Sequence, residues 1–450
     1  MTARLNERSR ETYMKEPRKM RQHTPAKGGT LSRYLAIGAL VLALPIVACE
    51  GLLDVKDPSN LTADDFEEAI PVDLVTSGVR GEFQTMFDYY ILYTGMLADE
   101  FVLAGTYPYR QEFDDRMIFD NNAGLLGDVY NPMSRTRFMA DTGVVLLENA
   151  IGGDLAGITD DELREAAAEA KYYGGYIRML FAESFCESAI AGGPALDSDA
   201  RMEDALSFFV DAETRAQATG QDDFVAAARL GQARANMWLR NFSAASAAAA
   251  QVPDDFTYYS IYSNNSIGQK SKVVRYTWAI NEVIRWTVGD GTFEGNNFER
   301  WPYFDEWVSL GLLASEPTLQ SFNPAVPVAQ QKKYDTGDTP IAMSSGTEAQ
   351  LIVAEVLLRS GDLAGAAAIV NQFRADNWGL PAIAFSGVLV DDLEFMARER
   401  SRELWLTGER LSTLRRYLVD GLDLFPDRAG TDTCLPVPLQ EKAANENIPS

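Results

Sequence analysis

Cys49 is the residue with the clearest chemistry. It follows Ile46, Val47 and Ala48, small and apolar neighbours that let a lipoprotein signal peptidase cut between Ala48 and Cys49, after which the cysteine carries acyl chains. Each acyl methylene buried in a bilayer contributes about 0.8 kcal/mol, so the chains together hold a folded domain at a membrane. The apolar run from Tyr34 to Val47 is 14 residues long, enough for a signal-peptide core and short of the roughly 20 that a spanning helix needs. Two other readings stay open at this end: an ordinary signal with a chance cysteine behind it, and an N-terminal anchor that is kept. The expected organisation is a signal peptide over 1–48 and a lipidated tether over 49–62. Met20 is an alternative start that leaves Arg21, Lys27 and Arg33 as the basic region.

Several catalytic chemistries are excluded by what the rest of the chain lacks. The only histidine, His23, lies in the segment to be removed. A mature chain without histidine has no Ser-His-Asp triad, no Cys-His pair and no histidine-ligated zinc. Paired carboxylates remain, and Glu399 and Glu403 stand four apart, but neighbouring arginines would depress their pKa values away from what a proton donor needs. No enzyme and no cofactor is therefore expected. The net charge of −25 becomes −31 on cleavage, because the removed segment holds nine basic and three acidic residues. Such a surface disfavours nucleic acid, whose phosphates need dense Lys or Arg. Cys186 and Cys434 are the two cysteines left beside Cys49. Export permits a disulfide between them, and two buried free thiols fit the sequence equally well.

Binding is the chemistry that remains. Residues 256–345 carry Tyr258, Tyr259, Tyr262, Trp278, Trp286, Trp301, Tyr303 and Trp307 among many asparagines. Indole and phenol faces with amides nearby suit stacking on sugars and hydrogen bonding to their hydroxyls; they also suit peptides, or plain packing of a long loop. An early loop over 105–132 adds Tyr107 and Tyr109 around Pro108. The candidate ligand residues are thus Trp286, Trp301, Tyr303, Trp307, Tyr107 and Tyr109.

The elements that must position these residues are mainly helical. The stretches 226–252 and 347–373 align on Asn241-Phe242 and Asp362-Leu363, which pairs Ala233 with Ala354 and Ala245 with Ala366. Each reads as helix, tight turn, helix, with small residues where the two cross, in the manner of a tetratricopeptide (TPR) hairpin. A looser third hairpin covers 161–215, with its second helix near Met202–Ala216. Further helices are expected from Ala63 behind a Thr62 cap, over Leu74–Ala104, and over Ser134–Asn149; Asp160 caps the helix that follows. The runs Val273–Ile280 and Ile284–Val288 read as β structure. The fold expected is mainly α, TPR-like hairpins forming a scaffold in a single domain over 63–450, with a loop-rich lobe over 256–345 containing minor β structure. Near the end, residues 395–417 are densely charged and broken at Gly408, and Glu399–Arg402 and Glu409–Arg410 offer pairs for a partly buried ionic network.

This late segment resembles the SusD/RagB family of outer-membrane nutrient-binding lipoproteins, whose members carry an ERxREL...EGxRxxDLxR stretch. Glu399, Arg400, Arg402, Glu403, Leu404, Gly408, Arg410, Leu414 and Arg416 match it, whereas Thr407 and Thr413 stand where acidic residues are common. Pro436, Val437, Pro438 and Glu441, with Asn445 or Asn447, resemble the family's closing pattern; Cys49, Leu53-Asp54 and Pro58 resemble its start. The resemblance implies a lipid-anchored protein on the outer face of the outer membrane. It also implies a partner, a SusC-like TonB-dependent β-barrel transporter, to which a captured glycan or peptide is delivered uncleaved. The alternative is a TPR-type scaffold lipoprotein that assembles envelope proteins.

Overall fold

The computed structural model describes residues 72–153, 157–278, 284–288, 302–316, 318–426 and 430–448. Cys49, Trp301 and the helix expected from Ala63 lie outside them. The described residues belong to one compact unit.

Helix α1 (Val72–Leu97) runs through the largest core cluster, burying Phe83, Phe87, Tyr90, Ile91 and Tyr93. It stops at Leu97 instead of running to Ala104. Asp99 turns the chain with φ 72 and pairs with Arg410, and Val102–Leu103 (β1) then pairs with Trp286–Thr287 further along. The tyrosine-rich loop that follows contains helix α2 (Pro108–Asp114) and a π-helical turn over Leu125–Tyr130. The latter feeds directly into α3 (Asn131–Ala150), three residues earlier than the pattern suggests.

Three helical hairpins follow. The first pairs α4 (Asp160–Ser184) with α5 (Ser198–Thr219), joined through the short strands β2 (Glu187–Ser188) and β3 (Leu196–Asp197). Its cap is Thr159, not Asp160: the Thr159 hydroxyl accepts from Glu162 N, and the Glu162 carboxylate accepts from Thr159 N in return. Threonine takes the extended cap conformation, and the reciprocal bonds satisfy two otherwise orphaned amides. The second hairpin is α6 (Asp222–Trp238) with α7 (Phe242–Ala249). The third, α10 (Gly346–Ser360) with α11 (Leu363–Trp378), comes after the insert. Ala233, Ala245, Ala354 and Ala366 are all 0% exposed, as their matched spacing requires. Ala233 and Ala245 share a core cluster with Ala349 and Ile352 of α10, so the second and third hairpins pack together. Gly231 marks the tightest approach: a Cβ there would sit 2.4 Å from the Phe209 ring of α5.

The insert is stitched at its base by β4 (Thr257–Ser260) against β8 (Ile341–Ser345), antiparallel with a bulge between Tyr258 and Tyr259. Two more pairs lie within it, β5 (Trp286–Thr287) on β1 and β6 (Leu313–Ser315) on β7 (Ala329–Gln331). The run from Val273 is helical, not β: α8 spans Lys272–Thr277. Ser271 caps it, and Asp88 of α1 accepts from both Ser271 Oγ (3.2 Å) and Lys272 N (2.8 Å). These tertiary bonds override the weak β preference of two valines. A short helix α9 (Phe304–Ser309) completes the insert.

The charged C-terminal segment forms α12 (Leu389–Glu403) and α13 (Arg410–Val419), separated by Gly408 with φ 84. A last helix, α14 (Leu439–Ala444), closes the chain. The ionic network is there and more deeply buried than expected. Glu355, 0% exposed, accepts from Arg416 at 2.9 and 3.1 Å and from Arg359 at 2.9 Å. Those guanidinium groups hold its carboxyl below the usual carboxylate range in spite of burial. Glu399 bonds Arg402 and also Arg374 of α11. Glu409 and Arg410 do not pair with each other: Glu409 meets Arg234 of α6, and Arg410 meets Asp99. Cys186 and Cys434 form a disulfide with Cα atoms 5.1 Å apart.

Candidate functional site

The described residues include a cluster of partly exposed aromatic rings carried on a buried, charged base. Pro108 sits in the first turn of α2, where its missing N–H is no loss, and Tyr107 holds the extended cap position before it. The Tyr107 and Tyr109 rings lie 5.6 Å apart at 39°. Phe322, from the far end of the insert, stacks on Tyr107 at 5.9 Å and 13° and remains 37% exposed. Backbone bonds dock these segments: Phe322 N donates to Ile284 O and Asn323 N to Ala104 O, each at 2.8 Å.

Beneath the rings lies Arg110. Its guanidinium stands 5.0 Å from the Tyr107 ring, 5.3 Å from Tyr109 and 4.6 Å from Trp286. Arg110 Nε donates to Tyr93 OH (3.2 Å), Tyr93 donates to Asp128, and Arg110 Nη2 lies 3.7 Å from the same carboxylate. Burial, with Asp128 next to it, pushes the Tyr93 phenol far above its ordinary range, so it stays a neutral donor. Arg110 Nη1 has no hydrogen-bond partner among the described residues. Arg285 adds a second guanidinium, 6.0 Å from the Tyr107 ring and 4.9 Å from Tyr276. The arrangement offers flat apolar faces backed by cations and phenols, which suits a ligand with C–H faces and hydrogen-bonding edges.

The sequence candidates separate into three groups. Tyr107 and Tyr109 are part of this surface. Trp286 is 0% exposed and supports it from below, with both ring faces against protein. Tyr303 and Trp307 stack on each other at 5.1 Å in a different place, against Trp405 and Arg402 of the C-terminal segment; Trp307 is 0% exposed. Trp301 lies outside the described residues. Phe322, Arg110 and Arg285 were not anticipated. Arg110 directly follows Tyr107-Pro108-Tyr109, which is a usable signal, but nothing local ties Phe322 to Tyr107. Among the described residues, no group of three or more His, Cys, Asp or Glu side chains is placed to hold a metal.

No family model matches the sequence, and no curated protein matches it. Solved structures do. A SusD-like carbohydrate-binding protein from Bacteroides fragilis superposes with TM-score 0.64 at 12% identity, over 84% of this chain and 98% of that one. A SusD superfamily protein from Bacteroides thetaiotaomicron gives 0.63 at 14%, over 86% and 99%. Surface glycan-binding protein A from Bacteroides uniformis gives 0.60 at 11%, over 84% and 98%. The chain has the SusD-like fold.

Proposed function

We propose that this chain is a member of the SusD/RagB family and works as a surface capture lipoprotein. In this reading it is acylated at Cys49, lies on the outer membrane facing the exterior, and binds a glycan or peptide without cleaving it. It then passes that ligand to a SusC-like TonB-dependent β-barrel transporter. The observation that carries the reading is the Tyr109–Tyr107–Phe322 surface, because half-buried Tyr107 and Tyr109 and exposed Phe322, held on a buried Arg110–Trp286 base, are preorganised for stacking and lose little freedom on binding. The SusD-like fold supports it, as does the description of similar structures as carbohydrate- or glycan-binding.

Two measurements test it. Titration with oligosaccharide and peptide mixtures should show binding that Tyr107→Ala together with Phe322→Ala weakens by about ten- to a hundredfold, the range for removing aromatic anchors. Unchanged affinity in that double variant removes the site assignment. Gentle extraction from native membranes and capture through a C-terminal tag should bring down a stoichiometric β-barrel transporter. Recovery with other envelope proteins and no barrel would favour the scaffold alternative.

A further inference from the structure

The Tyr107 surface holds more positive charge than its own carboxylates answer. Arg285 sits immediately before β5, and its backbone is fixed on two sides: Arg285 N donates to Tyr276 O, and Ala104 N donates to Arg285 O, each at 2.9 Å. The side chain is half-buried, with its guanidinium 6.0 Å from the Tyr107 ring. Among the described residues no carboxylate pairs with it, and its Nε has no hydrogen-bond partner. Asp and Glu outnumber Lys and Arg by 65 to 40 along the chain, so an arginine left without a carboxylate is the exception. The buried network shows the usual outcome, since Arg234, Arg402, Arg410 and Arg416 all meet carboxylates.

Arg110 adds to the imbalance from below. It is 4% exposed, and its one carboxylate contact among the described residues is Asp128, 3.7 Å from Nη2. That separation is too long for a good hydrogen bond, and Tyr93 also donates to the same carboxylate. Nη1 is left without a partner. Two guanidinium groups thus have one carboxylate contact between them. Both are felt at the Tyr109 phenol: burial raises its pKa, Arg110 and Arg285 oppose the rise, and Asp128 adds to it.

The two cations have different parts. Arg110 lies against the Tyr107 and Tyr109 rings and acts through them, because charge is weakly screened across buried carbon. Arg285 stands at the side of the rings and is partly open to solvent, so it can touch a ligand lying on them. A guanidinium donates and never accepts. A neutral hydroxyl can take one such bond. A carboxylate or sulfate takes two in parallel, each roughly twice as strong, and supplies the missing negative charge. The rings call for a flat C–H face next to that group, which a rigid acidic sugar ring provides and a flexible Asp or Glu side chain does not.

We propose that Arg285, backed by Arg110, is a specificity residue that selects acidic sugar units, carrying a carboxylate or sulfate, over neutral ones. This selectivity rests on the capture reading for its place; the charge of the ligand and the residues that read it go beyond that reading.

The test is calorimetric titration of the whole chain with matched pairs that differ in charge: trigalacturonate and its methyl ester, sulfated neocarratetraose and its desulfated form, and triglutamate with triglutamine as the peptide pair. Thermal unfolding reports that each variant folds. In at least one saccharide pair the anionic member should bind at least about tenfold more tightly, and Arg285→Gln should bring the two within about twofold. The pair that responds tells carboxylate from sulfate. Arg285→Lys, which keeps the charge, should retain a preference for the anionic member, and Tyr107→Ala with Phe322→Ala should weaken both members. Equal affinities within both saccharide pairs overturn the selectivity, as does failure of every anionic saccharide to bind or a preference that persists in Arg285→Gln. A charge preference in the peptide pair alone overturns the ligand class. Neutral saccharide binding that the Tyr107/Phe322 variant weakens, with no charge preference, would leave the capture surface standing and remove the role of Arg285. A charge preference untouched by that variant would remove the shared site and the capture assignment with it.

Discussion

At the residue scale, burial of charge is the dominant theme. Arg234 of α6 is ringed by Glu183, Glu348 and Glu409, all nearly inaccessible, with Arg400 nearby. Three carboxylates cannot all ionise around one guanidinium at low dielectric. Burial pushes Glu409 up to about 8 from its ordinary 4.5, against the pull of Arg234 and with Glu348 adding to the rise. A carboxyl whose folded pKa lies above its unfolded one binds more protons folded than unfolded, so its contribution to stability falls as pH rises between the two values. The stability curve should therefore decline from about pH 5 to about pH 8. Glu409→Gln, which keeps the shape and stays neutral, should flatten that decline in urea titrations at stepped pH. An unchanged slope would place the titration elsewhere. Replacing Arg234 is a different matter: it strands buried carboxylates, and Arg234→Met should cost about 3–5 kcal/mol by the same measurement.

At the element scale, two helical glycines make opposite predictions. Gly231 of α6 faces the Phe209 ring at a distance no real Cβ occupies. Gly231→Ala should lower stability by about 1–3 kcal/mol through overpacking. Gly81 of α1 has open space, and Gly81→Ala should raise stability by up to about 1 kcal/mol through helix propensity. Thermal unfolding of the pair checks both signs. The close crossing of small and large residues in the α4–α5 and α6–α7 region was legible from the alanine and glycine spacing. The end of α1 and the helical state of Lys272–Thr277 were not. Both are decided by partners far away in sequence, Arg410 for the first and Asp88 for the second. Local preferences of a few tenths of a kcal/mol yield to such contacts.

At the scale of the whole molecule, the Cys186–Cys434 bridge and the C-terminal segment tie the early hairpins to the end of the chain. Cys186 N donates to Leu435 O at 3.0 Å, Leu435 N to Ser184 O at 2.7 Å, and the bridge closes a separation of 248 residues. Reduction should destabilise the fold by about 2–5 kcal/mol, read as a drop in unfolding midpoint with dithiothreitol. The Cys186→Ser/Cys434→Ser variant should show the same midpoint with and without reductant. The Arg402 side chain, 0% exposed, bonds Glu399 on its own helix and Glu306 in the insert. The insert is thereby held to the helical scaffold by the same segment that carries the family-like charge pattern.

The helical class, the hairpins, the ionic character of 395–417 and the expectation of binding over catalysis came from the chain's own letters. Each depends on residue type and spacing over one or two turns, or on the lack of any histidine after His23. Which aromatics face outward was decided by tertiary structure. Trp286 and Trp307 look as exposed as Tyr107 in a list of loop residues, yet both are fully buried. Phe322 joins Tyr107 only because the insert folds back onto the early loop. Exposure of a ring depends on what the rest of the chain packs against it, and no local pattern of residue types contains that information.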